Sequence, residues 1–203
     1  MMITLKKYKE KFLELLQPKK GNVNLSFGCH NITIDEKNYL MCRAIVPDLD
    51  EMLAVQSEVY DGDHPWSYED FEKQVQDKMT TLYIVMRYED QMVAYAGCRF
   101  DYAPGEAHVT NIAVIPEFQQ HGLGLKMLET LKDEAQKYGC KKMSLDVKKS
   151  DHNAQALYKK AGFHENKLKK AYYKNEDGLE LSCRLGNKNI KKKVEKGWKK
   201  LGI

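Results

Sequence analysis

Two closely spaced glycines at a strand-to-helix junction constrain this chain more than any other feature. Ala107 to Ile115 is an apolar, strand-like run, and Gln119-Gln120-His121-Gly122-Leu123-Gly124 then leads into a helix that we expect to end near Tyr138. Glycine lets a backbone approach a ligand closely, and the first N–H groups of a helix lack partners and attract anions. The junction therefore indicates either a binding loop for a phosphate-containing ligand or a tight turn.

The loop does not match the common nucleotide-binding signatures. A dinucleotide fingerprint needs a third glycine, and Met127 stands at that position. A P-loop would need the pattern GxxxxGK followed by Ser or Thr, which the chain lacks. A pyrophosphate bound by another type of loop remains the functional alternative to the tight turn.

Strand-like and helix-like segments alternate from residue 39 to residue 185. The predicted strands are Tyr39–Val46, Thr81–Arg87, Met92–Phe100, Ala107–Ile115, Lys142–Lys148, Phe163–Tyr173 and Leu179–Leu185. Helices are predicted after Pro47, after the Ser67 N-cap, after Gly124 and after Asp151, with a turn at Glu176-Asp177-Gly178. Strands mixed with helices in this way predict an α/β or α+β domain with a mixed sheet.

Two segments of different character flank this domain. In the first, residues 1–38, apolar side chains recur at helical spacing over 4–16, and an irregular or hairpin segment follows. The second, residues 186–203, carries seven lysines against one glutamate, although the net charge of the whole chain is only +4. Such a tail is a solvated arm or contacts an anionic partner such as nucleic acid or a ribosome. Val194, Trp198 and Leu201 in the tail have the spacing of a short amphipathic helix.

The composition favours neither disulfides, nor metals, nor membranes. The five cysteines are widely spaced and form no CxxC pair, so we expect buried, reduced thiols. The histidines lack the spacing of metal ligands, which predicts no metal site. No apolar run approaches the length of a membrane span, and the charged N-terminus does not have the pattern of a secretory signal. We therefore expect a cytoplasmic protein that does not enter a membrane.

A second motif follows the glycine loop further along the chain, Ala154-x-x-Leu157-Tyr158-x-x-x-Gly162-Phe163. Together the two motifs resemble the GNAT superfamily of N-acetyltransferases, and the resemblance covers about residues 40–185. It implies a GNAT fold, with a mixed, mostly antiparallel sheet, splayed central parallel strands and flanking helices. Further motifs resemble the RimI type, bacterial enzymes that acetylate the N-terminal alanine of a ribosomal protein: Glu58, His64-Pro65-Trp66-Ser67, Thr110 to Val114, Leu145-Asp146-Val147, Tyr172-Tyr173 and Asp177-Gly178.

The resemblance also implies a site for acetyl-coenzyme A as co-substrate. In the family, this molecule lies in the V between the two splayed strands, with its pyrophosphate on the glycine loop. The implied contacts with the pantetheine arm come from the backbone of Ile112, Ala113 and Val114. The implied pyrophosphate loop consists of Gln119, Gln120, His121, Gly122, Leu123, Gly124 and Leu125. Asp151 and Asn153 are implied to lie near coenzyme A, but Asp151 stands where the family usually has Asn, and its alternative role is a helix N-cap.

Two residues are implied to act on protons. Asp146 occupies the position of the glutamate that serves as general base in RimI-type enzymes, and Tyr158 that of the general acid that protonates the leaving thiolate. Each has a structural alternative, Asp146 as the ion-pair partner of Lys148 or Lys142 and Tyr158 as a core aromatic residue. His108 is a rival base. The residues implied to line the acceptor groove are Glu58, Trp66, Tyr172 and Tyr173.

Three functions are compatible with these residues. The first is an acetyl-coenzyme A-dependent N-acetyltransferase acting on a protein N-terminal α-amine, such as the N-terminal alanine of a ribosomal protein. An α-amine has a pKa of about 8 and a lysine one of about 10.4, so an N-terminus needs only a modest base. The second is an enzyme that acetylates a lysine, a polyamine or a small-molecule amine. The third is a ribosome- or RNA-associated binding module on a GNAT scaffold, which the Lys-rich tail favours and which the intact glycine loop and Tyr158 oppose.

Overall fold

The computed structural model describes residues 25–60, 65–101, 103, 105–173 and 176–186, in which strands and helices follow the predicted alternation. The strands are β1 (His30–Ile34), β2 (Lys37–Arg43), β3 (Thr81–Tyr88), β4 (Gln91–Asp101), β5 (Glu106–Val114), β6 (Lys142–Lys148), β7 (His164–Tyr173) and β8 (Glu176–Arg184). The α-helices are α1 (Leu49–Val59), α2 (Tyr68–Gln76), α3 (Leu123–Lys137) and α4 (His152–Lys160).

The eight strands of the described residues form one sheet in the order β1-β2-β3-β4-β5-β6-β8-β7. All neighbouring pairs are antiparallel except β5 and β6, which run parallel. Their pairing ends at Val109↔Leu145, and the two strands separate beyond that pair. An irregularity in the β4–β5 register, between Gly97 and Cys98 of β4, lies at the same level. The expected mixed, mostly antiparallel sheet with splayed parallel strands is confirmed.

The centre of the sheet is apolar on both faces. Thr81 to Met86 in β3 and Met92 to Cys98 in β4 are buried at every position, which accounts for continuous rather than alternating apolar sequences. Helices α1 and α3 both pack on β4 and β5, and α2 packs on β3. Because β4 is buried on both faces, α1 and α3 cover opposite sides of it. The strands β5 and β6, which separate to form the site, therefore belong to a sheet whose centre is buried on both faces.

The helix ends are set by the residues that the sequence suggested. Ser67 caps α2: its Oγ accepts the Asp70 N–H at 3.2 Å, and the Asp70 carboxylate accepts the Ser67 N–H at 3.0 Å. Gly139 and Gly162 follow α3 and α4 with φ of +88° and +82°, the left-handed conformation that glycine adopts most readily. None of the helices within the described ranges is both long and apolar enough to cross a membrane.

Some predicted bounds need correction. The strand predicted over Tyr39–Val46 ends at Arg43, because Val46 to Asp48 forms a 3-10 turn in which the Asp48 carboxylate accepts the Ile45 N–H at 2.9 Å. The turn predicted at Glu176-Asp177-Gly178 is instead the start of β8. The helices predicted over 4–16 and in the Lys-rich tail lie outside the described residues.

The expectation of reduced cysteines holds for three of the five. Cys98, Cys140 and Cys183 are free and buried, as predicted. Cys29 and Cys42, however, are joined by a disulfide, with their Cα atoms 4.2 Å apart. The β1–β2 register pairs His30 with Met41 and so places residues 29 and 42 opposite one another. Sequence spacing alone does not show this, since the two cysteines come together only when the hairpin forms.

Candidate active site

A V-shaped gap opens where β5 and β6 separate. Ile112, Ala113 and Val114 lie beyond the last β5–β6 pair, and their pairing partners are on β4, on the other side of the strand. Backbone N–H and C=O groups on the edge toward β6 are therefore available to an extended ligand. This places the three residues predicted to pair with a pantetheine arm along one side of the gap.

The glycine loop lies at the open end of the same strand. Gly122 is the N-cap of α3 with φ of +92°, and no side chain caps the first N–H groups of this helix. Gln119 is turned back, with its Nε2 donating to the Val114 carbonyl at 2.9 Å. The N–H groups at the start of this fifteen-residue helix are thus left without a side-chain cap, an arrangement that is compatible with the predicted pyrophosphate loop.

The two glycines of the loop are required for different reasons. At Gly122 the left-handed backbone conformation disfavours a side chain, whereas an added Cβ would make only an ordinary contact with Ile34 at 3.5 Å. At Gly124 the backbone is helical, but an added Cβ would lie 3.1 Å from Cδ2 of Leu157 on α4. Gly124 therefore allows α3 and α4 to approach one another, a packing role that its place in the loop does not reveal.

The β1–β2 hairpin contacts the loop through its tip. Asp35 Oδ2 lies 2.7 Å from Nδ1 of His121, and both side chains are largely exposed. Next to it, Lys37 Nζ lies 5.2 Å from the centre of the Phe118 ring. The imidazole of His121 is thus turned toward Asp35, and the backbone of His121 precedes the N-cap residue Gly122.

Asp146 stands at the apex of the gap, one residue beyond the last β5–β6 pair. Its side chain is 10% exposed, and its Oδ1 atom lies 2.7 Å from Nζ of Lys169. Oδ2 accepts a hydrogen bond from the Tyr172 hydroxyl at 2.9 Å. The ion pair anticipated as the structural alternative exists, but its cation is Lys169 on β7 and neither Lys142 nor Lys148. Lys142 instead pairs with Glu106 at 3.1 Å.

His108 flanks the same carboxylate from β5. Its Nε2 atom is 3.9 Å from Asp146 Oδ2, and its Nδ1 atom is 3.0 Å from Ser144 Oγ. Burial is the main cause that lowers the pKa of His108, and the positive charges of Arg99 and Lys169 act in the same direction. The imidazole is therefore neutral near pH 7, a form that can accept a proton.

Tyr158 projects from α4 and is buried. Its ring meets that of Phe163 at 6.2 Å between centroids. Burial raises the pKa of Tyr158, and the nearby Tyr60, Asp151 and Tyr173 raise it further. Its hydroxyl consequently stays protonated at neutral pH and has a proton to donate, as a general acid requires.

The four predicted acceptor residues divide into two pairs. Tyr172 and Tyr173 lie at the apex, with ring centroids 5.2 Å apart, and pack over Gly178, where an added Cβ would lie 3.0 Å from the Tyr172 ring. Trp66 packs on Phe71 at 5.6 Å, and its backbone is bonded to the side chain of a buried α1 glutamine. Glu58 is exposed on α1. Within the described residues, no recorded contact joins Glu58 or Trp66 to Asp146.

Asp151 is the N-cap of α4, the structural alternative predicted for it from the sequence. Its carboxylate accepts the Ala154 N–H at 2.9 Å and so caps α4. Asn153 is exposed in the first turn of the same helix. The structure places both residues at the start of α4, the helix that packs on α3 next to the glycine loop.

Two residues of the site were not found from the sequence. Lys169 lies in a run of exposed polar residues on β7, where no periodicity distinguishes the one lysine that reaches Asp146. Tyr60 ends α1 and interacts electrostatically with Tyr158 and Tyr173. The sequence feature that could have identified Tyr60 as a site residue is its position directly after an amphipathic helix and before the Trp66 motif.

Comparison with known proteins agrees with this geometry. The model of the acetyltransferase (GNAT) family matches residues 47–163. Ribosomal protein bS18-alanine N-acetyltransferase of Escherichia coli is 44% identical over 75 residues, which cover 37% of this chain and 51% of that protein. An uncharacterized protein of Mycobacterium leprae is 31% identical over 144 residues, which cover 70% of this chain and 39% of that protein. The matches thus span about half, or less, of these two relatives.

A solved structure is also similar. The crystal structure of a ribosomal-protein alanine N-acetyltransferase from Escherichia coli has a TM-score of 0.66 and 28% sequence identity to this chain. The superposition covers 73% of this chain and 94% of that one. The matched family region includes the glycine loop, Asp146 and Tyr158, whereas Lys169 and Tyr172 lie beyond it.

Proposed function

Because the chain belongs to the acetyltransferase (GNAT) family, we propose that it transfers the acetyl group of acetyl-coenzyme A to the α-amine of a protein N-terminus. Family membership makes it an acetyl-coenzyme A-dependent N-acetyltransferase, so the proposal concerns the acceptor and the residues that act on it. The Escherichia coli relative is named as an alanine N-acetyltransferase of ribosomal protein bS18. An N-terminus that begins with alanine, as on a ribosomal protein, is therefore the acceptor we propose.

The residues of the gap fit acetyl-coenzyme A, which supplies the acetyl thioester. The free backbone edge of Ile112, Ala113 and Val114 suits an extended amide-containing arm, because that edge offers alternating donors and acceptors. The uncapped start of α3 at Gly122 suits a pyrophosphate. This combination, an unpaired strand edge leading to an uncapped helix start, is the observation that supports acetyl-coenzyme A as the co-substrate; the acceptor rests on the named relative and on the charges around Asp146.

The two assigned residues act on different reacting groups: Tyr158 on the leaving thiolate and Asp146 on the acceptor amine. Tyr158 donates its hydroxyl proton where the thiolate leaves, because burial keeps that hydroxyl protonated. Asp146, the predicted base, receives the acceptor: its carboxylate attracts the ammonium form of an amine and holds it at the apex, where the proton is removed. Lys169 and Tyr172 hold this carboxylate in place with contacts of 2.7 and 2.9 Å.

The charge at the apex favours an α-amine over a polyamine. A polycationic acceptor would be attracted by several free carboxylates, but Asp146 is paired with Lys169, which also lies 3.6 Å from Glu180. This lysine reduces the negative potential that a second or third ammonium group would need. An N-terminal α-amine carries a single charge and loses its proton more easily than a lysine side chain does.

The proposal is tested by steady-state kinetics on a panel of amines. The panel contains a short peptide that begins with alanine, the same peptide with a blocked N-terminus and an internal lysine, and spermidine. We expect kcat/KM to be at least tenfold higher for the free alanine N-terminus than for the other two. A preference for spermidine or for the blocked lysine peptide would contradict the proposed acceptor.

A further inference from the structure

His108 and Ser144 are paired neighbours on the two strands that form the gap. The parallel register places His108 of β5 opposite Ser144 of β6, and their side chains meet with Nδ1 and Oγ 3.0 Å apart. Glu106 lies two residues before His108 on β5 and pairs with Lys142 of β6 at 3.1 Å. Burial works to raise the pKa of Glu106, but the neighbouring Ser144 and Lys142 side chains outweigh it and leave that pKa lowered.

The contact between Nδ1 and Ser144 matters because a neutral imidazole carries its hydrogen on only one nitrogen. When Nδ1 carries it and donates to Ser144 Oγ, the lone pair of Nε2 is free on the side of Asp146, at the apex of the gap. For His108 to act as a base at Nε2, the imidazole must therefore have its hydrogen on Nδ1.

The distance between Nε2 and Asp146 Oδ2 matches the size of an amine nitrogen. At 3.9 Å the two atoms are too far apart for a hydrogen bond to one another. A nitrogen placed between them can lie within roughly 3 Å of both and so make two normal hydrogen bonds. Asp146 Oδ2 already accepts hydrogen bonds from Lys169 and Tyr172, each at 2.9 Å, which hold the carboxylate beside His108.

We propose that the acceptor amine binds between Asp146 and His108 and that His108 takes its proton, with Ser144 acting as the positioning residue that fixes the imidazole tautomer. The proposal rests on the proposed acetyl transfer to an amine. One N–H bond of the ammonium breaks, its electron pair stays on the amine nitrogen, and the proton bonds to Nε2. After the acetylated product leaves, the imidazolium releases the same proton from Nε2 to solvent, so the imidazole returns to the form that carries its hydrogen on Nδ1.

The charges around His108 support this role. Burial and the cations Arg99 and Lys169 disfavour a protonated imidazole, whereas Asp146 and Glu106 favour it. The imidazole is thus neutral before the amine arrives, and two carboxylates stabilise it once it has taken the proton. Since Arg99 is paired with His108 across β4 and β5, its charge faces the ring from the opposite strand.

Two measurements on the full chain test the assignment. The first is the ¹⁵N spectrum of the His108 ring at pH 7, for which we expect a neutral imidazole protonated on Nδ1; the opposite tautomer would overturn the proposal whatever the acceptor is. The second compares His108→Gln with wild type on whichever amine the wild-type enzyme acetylates. We expect kcat to fall roughly 100-fold, with KM for acetyl-coenzyme A unchanged and the acidic limb of the pH–rate profile lost.

Control variants separate catalysis from folding. His164→Gln changes an exposed histidine of β7 and should leave kcat and the pH profile unchanged. His108→Ala should regain part of its activity when imidazole is added, which a purely structural histidine would not allow. Ser144→Ala should lower kcat while keeping the acidic limb. Full activity of His108→Gln with an unaltered pH profile would overturn the proposal, and a preference of the wild type for spermidine would overturn only the proposed acceptor.

Discussion

Lys169 Nζ lies 2.7 Å from Oδ1 of Asp146, which joins the edge strand β7 to the apex of the gap across the intervening strand β8. Burial works against the charge of Lys169, but the hydrogen bond and charge of Asp146 outweigh it and raise the pKa of the ammonium. A group whose pKa is raised on folding stabilises the fold below its unfolded pKa, and this contribution is lost as the pH rises through the folded pKa. The pair therefore contributes to stability at neutral pH and stops doing so in alkaline solution.

Replacing Lys169 by methionine tests this pair. We expect Lys169→Met to lower the free energy of unfolding by about 1 kcal/mol between pH 7 and 9, since Asp146 loses its cation. The difference from wild type should begin to shrink near pH 10.4, the ordinary pKa of a lysine, and close once the pH passes the raised pKa of the folded Lys169. Denaturant unfolding at a series of pH values measures it, with the exposed Lys167→Met as control. A difference that is constant up to pH 12 would show that the methionine disturbs packing instead.

Gly122 and Gly139 form a matched pair at the two ends of α3. Their φ angles are +92° and +88°, so alanine at either position should cost a similar 1–2 kcal/mol or so of stability. Only Gly122→Ala should weaken acetyl-coenzyme A binding, by tenfold or more, because it displaces the N–H groups at the helix start. Calorimetric titration of both variants measures this. Equal affinities would remove the loop from the binding site.

Gly124 is expected to act through packing. Gly124→Val introduces a side chain where Cβ alone would lie 3.1 Å from Leu157, and overpacking of this kind costs about 1–3 kcal/mol. The double variant Gly124→Val/Leu157→Ala should recover most of the lost thermal stability, because the obstructing methyl groups are gone. Thermal unfolding of the two single variants and the double variant gives the coupling. Strict additivity would argue against direct contact between the two positions.

Tyr158→Phe removes a hydroxyl and little else. We expect kcat to fall roughly 100-fold, as for a lost general acid, with little change in KM for either substrate. Tyr138→Phe is the control: this hydroxyl donates to the Ser26 carbonyl, away from the gap, and its loss should leave kcat unchanged. If the two variants have the same kcat as wild type, Tyr158 is a core aromatic residue and not the acid.

The Lys-rich tail is expected to affect partner binding and not the reaction. Truncation after Leu185 removes seven lysines and should leave turnover of a short alanine-starting peptide intact. Association with an anionic particle such as the ribosome should weaken, and the full chain alone should show a steep salt dependence. Sedimentation with ribosomes at two salt concentrations tests this. Identical binding of both forms would deny the tail such a role.

Local signals in the sequence predicted much of the fold. The Ser67 cap, the glycines that end α3 and α4, and the bounds of β6 each depend on a few neighbouring residues. The glycine loop was located for the same reason, since a strand, two glycines and a helix follow one another directly. The N-cap role of Asp151 is local in the same way, because a carboxylate three residues before an amide N–H is enough to form it.

Contacts between distant segments could not be predicted in this way. The partner of Asp146 depends on β7, whose register against β8 shifts twice and whose Ala171 has φ of +46°. The pattern of polar and apolar residues in the sequence does not show such irregularities. Lys142 and Lys148, which lie on the same strand as Asp146, were therefore predicted as its ion-pair partners. The Cys29–Cys42 disulfide and the His108–Ser144 pair likewise depend on strand register, which is set only when the sheet assembles.

The proposed acceptor is tested most directly by locating the acetyl group on one peptide that carries both kinds of amine. The peptide begins with alanine and contains an internal lysine, and it is incubated with the full chain and acetyl-coenzyme A and then sequenced by tandem mass spectrometry. We predict that the acetyl group is found on the α-amine and that Tyr158→Phe greatly reduces it. Acetylation of the lysine with a free N-terminus, or no acetylation of either amine, would contradict the proposed acceptor.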